Sequence, residues 1–165
     1  DSPTQFRMAV LDAVPGVTGV SPGVIATVSV SGATTYSVDD EGQSTTAFSF
    51  IGSGDLMAGQ EVQVKELSTS SGAALQADRV RLRSSRFTAT VSSIASPNFN
   101  LMGLPGLFTS TGTSVIQVQT SSSTEFAGSI STFSQLTTGK SVTLRGQLFR
   151  TGATPVLPAV KVRGN

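Results

Sequence analysis

The sequence predicts an all-β protein, organised as two tandem antiparallel barrels of OB-like build, each about 80 residues long. Three observations predict it. Apolar and polar residues alternate along much of the chain, turn residues break the alternation at short intervals, and one nine-residue pattern occurs twice. A β-sandwich is the alternative closure. Five or six short strands in such a length need their edges covered, and a closed barrel covers them most completely.

The first half is expected to hold strands at about 6–14, 23–30, 34–38, 46–51, 60–67 and 74–83. Val24, Ala26, Val28 and Val30 alternate with Ile25, Thr27 and Ser29, and Val62 and Val64 alternate with Gln63 and Lys65. Phe48 and Phe50 give 46–51 the same period. In 74–83, Arg79, Arg81 and Arg83 alternate with Val80 and Leu82. The second half is expected to repeat this at 86–94, 98–102, 114–120, 124–126, 141–150 and 156–163. There Val142 and Leu144 alternate with Thr143 and Arg145. The segments "GSGD", "DDEG", "MAGQ", "TTGK" and "RTGATP" supply turns. No apolar stripe of helical period reaches 10 residues, although "GSGDLMAGQ" and "STFSQLTTGK" suit one short helical turn each.

The recurring pattern is "LMAGQEVQV" at 56–64 and "LTTGKSVTL" at 136–144. At a step of 80 residues, Leu56, Gly59, Val62, Gly72, Ala73, Val80 and Arg83 meet identical residues at Leu136, Gly139, Val142, Gly152, Ala153, Val160 and Arg163. Upstream the step becomes 90, pairing Ala26, Val28, Thr34 and Tyr36 with Ile116, Val118, Thr124 and Phe126. The first copy therefore carries ten additional residues between Tyr36 and Leu56, an insertion expected in a surface loop. Duplication places copy one at 1–84 and copy two at 85–165. Gly59 and Gly139 sit where a turn enters a strand, a place suited to positive φ.

Composition narrows the chemistry. Among 165 residues there is no Cys and no His, which removes disulfides, thiolate nucleophiles and the usual acid/base and metal-binding side chain. Charged residues are only 13%, whereas Ser and Thr number 46, so the polar surface is hydroxyl-rich. No run of 18 apolar residues could span a membrane as a helix. The chain opens on "DSPTQ", without Met or an apolar segment, as a trimmed or mature product does. Net charge is +1, but residues 1–84 carry five basic and nine acidic groups and residues 85–165 six basic and one acidic.

The order of motifs carries a resemblance. "GATTYSVDD" and "SSSTEFAGS" are followed by Leu-x-x-Gly-x-x-Val-x-Val and then by the closing strands "ALQADRVRLR" and "LPAVKVRG". With the opening "RFTATVSSIASPNFNLMGLPG", this resembles the bacterial domain-of-unknown-function family numbered 5666; Ala89 stands where that family has Gly. The resemblance implies repeated, secreted or envelope-attached modules and supplies no catalytic residue.

Three features could bind something. Arg79, Arg81 and Arg83, with Lys161 and Arg163 in the second copy, could form an anion-binding strand face. Charge on an outer strand kept soluble is the competing reading. The apolar run "FNLMGLPGLF" could offer Leu101, Met102, Leu104, Leu107 and Phe108 as an interaction patch, or could pack on a barrel or cover the junction of the copies. Asp39, Asp40 and Glu41 carry oxygens that suit calcium, but their spacing is that of a solvated hairpin turn.

The expectation is a non-catalytic, extracytoplasmic structural or protein-interaction module of a bacterial secreted or envelope protein, without cofactor or metal. Its partner would be a protein or an envelope polymer. The alternative is binding of an anionic polymer, polysaccharide or nucleic acid, by the basic strand faces. With no Trp and one Tyr to stack on bases or sugars, nucleic acid is disfavoured. A hydrolase comes third: no Ser-x-x-Lys or Gly-x-Ser-x-Gly occurs, and pairs such as Asp55 with Glu61 or Glu61 with Glu66 read as surface carboxylates.

Overall fold

The computed structural model describes residues 4–14, 20–67 and 74–165. Of these, 47% lie in strands and 7% in helical turns, so the protein is all-β. The strands are β1 (Gln5–Ala9), β2 (Ile25–Ser29), β3 (Thr35–Val38), β4 (Glu61–Glu66), β5 (Ala74–Ala95), β6 (Asn98–Met102), β7 (Ile116–Gln119), β8 (Glu125–Gly128), β9 (Ser141–Gln147) and β10 (Val156–Gly164). One helical turn, α1 (Gly106–Thr109), follows β6, and single 3-10 turns occupy Ser53–Asp55 and Phe133–Gln135. Both 3-10 turns fall in the two segments expected to turn helically. The Gly72 and Ala73 matches of the repeat lie outside the described residues.

The chain forms two compact units. The first holds the described residues up to Ser37, with Ile51–Gly54 and Val62–Arg81; the second holds Val38–Phe50, Asp55–Glu61 and Leu82–Asn165. In the first unit β1 pairs antiparallel with β2, Phe6 opposite Val28 and Met8 opposite Ala26. β2 runs parallel to β5 with Val28 opposite Leu75, and β3 and β4 also pair with β5. Ala26, Val28, Leu75, Ala77 and Val80 are buried in this layer. Thr34 ties the loop before β3 to this layer, since its hydroxyl donates to Ala77 O at 2.8 Å and accepts from Ser31 N–H at 3.0 Å.

In the second unit β5 pairs antiparallel with β6, β6 with β7, β7 in parallel with β10, β10 antiparallel with β9, and β9 antiparallel with β5. β8 adds a second parallel pairing along β10. The inward residues, among them Val91, Phe99, Leu101, Ile116, Val142, Leu144 and Val162, form one apolar cluster that Phe87, Phe126 and Phe133 pack against. Burying such side chains stabilises a small fold by roughly 1.5–3 kcal/mol each before entropy is counted.

Three expectations are corrected. Pairing is mixed rather than antiparallel throughout: β9 and β10 make a hairpin, so β10 returns in the direction of β7 and β8 and meets both in parallel. The separate strands 74–83 and 86–94 are one strand, because Ser84 and Ser85 are buried and small enough to continue the ladder. No strand forms at 46–51, where Phe48 and Phe50 anchor a loop.

Candidate functional site

The basic strand face divides between the two units. Strand period turns Arg79, Arg81 and Arg83 away from buried Val80 and Leu82. Arg79 and Arg81 belong to the first unit; Arg83, Lys161 and Arg163 belong to the second. In the first, Lys65 Nζ lies 2.8 Å from Asp78 Oδ2. That hydrogen bond, then the charge of Lys65 and, more weakly, that of Arg79, hold the Asp78 carboxyl below the ordinary carboxylate range. A shallow depression of about 310 Å³ lies between Val14, the β4 residues Gln63, Val64, Lys65 and Glu66, and the Arg79 and Arg81 stems.

In the second unit the cations meet carboxylates. Lys161 Nζ is 2.6 Å from Glu125 Oε1, and Arg83 Nη1 is 2.8 Å from Asp39 Oδ2. Arg145 Nη2 is 2.6 Å from Glu41 Oε2. The acidic cluster is thereby accounted for: Asp39 and Glu41 bind arginines, while Asp40 Oδ1 accepts from Gly42 N–H at 3.2 Å and shapes the turn. Glu41 itself adopts a φ of 49°, a left-handed conformation that costs a non-glycine residue about 1 kcal/mol and that the Arg145 pair helps to hold. Among the described residues, no three acidic, His or Cys side chains come together as metal ligands do.

Segment Val38–Phe50 is consequently tied by side-chain contacts to the second unit, which the sequence did not foretell. Gln147, fully buried in β9, donates through Nε2 to Asp39 O at 2.6 Å and to Ser84 Oγ at 3.1 Å. Gln43 Oε1 accepts from Ser121 and Ser123 hydroxyls, both at 3.1 Å. Phe48 stacks on Phe149 with centroids 4.8 Å apart. A Gln inside a strand of alternating apolar residues is the signal that could have marked Gln147, since a buried amide demands partners.

The expected apolar patch is corrected in part. Leu101, Leu104 and Phe108 are core residues, because β6 turns Leu101 inward and α1 seats Phe108 under the sheet; Met102 and Leu107 alone stay on the surface, 45% and 60% exposed. Phe108 lies against Gly59 and tilts on Phe87, centroids 4.9 Å apart.

A feature absent from the sequence reading is the state of β1 and β4. β1 pairs only with β2, and β4 only with β5, so among the described residues each keeps one strand edge without a partner strand. Val10 N–H donates to Val24 O and Val30 N–H to Thr4 O, so the alternation of an antiparallel ladder turns the amides of Gln5, Arg7 and Ala9 outward. Leu67 N–H donates to Gln76 O, which likewise turns Val62, Val64 and Glu66 outward. Phe6, Met8, Val62 and Val64 are only half-buried on the inner face. No known family model and no curated protein matches the chain.

Proposed function

We propose that the chain is a non-catalytic structural and protein-interaction module of a bacterial secreted or envelope protein, made of two modules of one OB-like build that arose by duplication. The closed order of pairings β5-β6-β7-β10-β9-β5 supports a barrel in the second unit. Three correspondences support the duplication. Val28 opposes Leu75 and Val118 opposes Leu157 in parallel pairs. Phe6 opposes Val28 and Phe99 opposes Val118 in antiparallel pairs. Thr124 repeats Thr34, donating to Ala159 O at 2.7 Å and accepting from Ser121 N–H at 2.9 Å. These registers set the closing strands 82 residues apart, not 80, so Val80 corresponds to Val162, Arg79 to Lys161 and Arg81 to Arg163. The hairpin before β10 is two residues longer, and a two-residue slip keeps every side chain on its own face.

The observation that carries the functional reading is where recognition capacity lies. The second unit's interior is filled by apolar side chains, and Asp39, Glu41, Asp78 and Glu125 are spent on Arg83, Arg145, Lys65 and Lys161. Among the described residues, the outer edges of β1 and β4 and the half-buried apolar side chains beside them are surfaces of the kind that recognise polypeptide. The low charge, the hydroxyl-rich surface and the absence of Cys support a place outside the cytoplasm. Chromatography on heparin tests this against anionic-polymer binding. The chain is expected to elute by about 0.15 M salt, with Arg79→Ala, Arg81→Ala and Arg163→Ala eluting alike. Tight retention that falls steeply with salt and weakens in these variants would transfer the function to anion binding.

A further inference from the structure

We infer that the first unit is an acceptor for one added β-strand, inserted between the outer edges of β1 and β4 and supplied by the opening strand of another module of the same build. The inference rests on the proposed correspondence of the two units. Under it β1 corresponds to β6 and β4 to β9, and in the second unit these two flank a single strand, residues 84–95 of β5. That strand has no counterpart among the described residues of the first unit.

Burial differs in the direction this requires. Phe99 and Leu101 on β6 and Val142 and Leu144 on β9 are at most 2% exposed, whereas their counterparts Phe6, Met8, Val62 and Val64 remain half-buried. The outward amides of Gln5, Arg7 and Ala9 and of Val62, Val64 and Glu66, which face no partner strand among the described residues, form the two rows of donors that an inserted strand would satisfy.

The second unit also states what the occupant must be. In β5, Ala89 and Val91 point inward with Phe87, opposite Val142, Leu101 and Leu144 respectively. Thr88 points outward, its hydroxyl 2.9 Å from that of Thr143. The occupant is therefore an extended segment with small and branched apolar residues at every second position and hydroxyl residues between them, antiparallel to both neighbours. Its Val91-type residue would face Met8, and its Ala89- and Phe87-type residues Val62 and Val64. Such a strand continues from a closing strand in this protein: β5 contributes Ala74–Arg81 to the first unit and Leu82–Ala95 to the second without a break.

The test adds a synthetic peptide of residues 86–95, RFTATVSSIA, to the full chain and follows amide hydrogen exchange residue by residue. With peptide at about ten times its Kd, exchange at Arg7, Ala9, Val62 and Val64 is expected to slow about tenfold, with β6 and β9 unchanged. The same peptide with Pro in place of Val91 removes a ladder donor and is expected to protect nothing. Three results would overturn the inference: no change at β1 and β4, protection confined to β6 and β9, or outward amides of β1 and β4 already protected in the chain alone, whether by its own loop or by a second copy. The heparin experiment reads charge and this one reads backbone edges, so the two readings fail separately.

Discussion

Gly59 and Gly139 occupy the same place in the repeated Leu-x-x-Gly pattern and have φ of 90° and 86°. Their surroundings differ: a Cβ on Gly59 would run into the Phe108 ring, while one on Gly139 meets nothing within 4 Å. Gly139→Ala is thus expected to cost about 1 kcal/mol, the strain of a left-handed alanine. Gly59→Ala is expected to cost about 3 kcal/mol or more, because the ring must also leave its place in the core. Urea unfolding of both variants checks the difference, and equal losses would contradict it. Asp78 gives a pH prediction. Its carboxyl is held low by Lys65, so the stabilisation is present above the unfolded carboxylate pKa and fades as pH falls through the lower folded value. Wild type and Asp78→Asn should differ slightly in Tm above about pH 5 and converge in stronger acid. A difference that grows on acidification would refute the pairing. The need for glycine at both positions was legible in the sequence; the Phe108 contact was not, since it joins residues 49 apart whose proximity only the fold creates.

At the scale of elements, the alternation of apolar and polar residues correctly announced β2, β4 and β9, because in each the apolar positions are the less exposed face, whereas β10 begins with four consecutive buried residues and alternates only towards its end. Alternation misassigned 46–51 for a physical reason: Phe48 and Phe50 are spaced as in a strand, but they serve as anchors of a loop, Phe48 stacked on Phe149 and Phe50 buried. Two apolar residues two apart cannot distinguish these cases. Phe48→Ala is expected to destabilise the second unit by roughly 1–3 kcal/mol through lost stacking and burial, measured by chemical denaturation; a change within 0.3 kcal/mol or so would mean that the loop contributes nothing to folding. Ser84 and Ser85 separate the expected strands 74–83 and 86–94, yet Ser85 Oγ accepts Glu61 N–H at 3.0 Å and Ser84 Oγ accepts from Gln147, and the strand runs through them. Small hydroxyl residues can run through a buried ladder provided that their oxygen finds a donor.

For the whole molecule, the proposed correspondence steps by 90 residues from β2 to β7 and by 82 from β5 to β10, and it is legible only once pairing is known, because unequal steps hide it from an ungapped comparison. The candidate site was less legible still. Charge is visible in the sequence at Arg79, Arg81, Arg83, Lys161 and Arg163, whereas the edges that β1 and β4 leave without a partner strand among the described residues are properties of backbone that any alternating strand could carry. The central claim is the proposal that the described residues of the first unit hold no counterpart of the strand at 84–95 and leave room for one. Amide exchange of the chain alone tests it most directly, comparing Val62 and Val64 in β4 with Val142 and Leu144, which oppose Ala89 and Phe87 in the β5–β9 pair. We predict that Val62 and Val64 exchange at least about a hundredfold faster. Equal protection at the four positions would contradict the account.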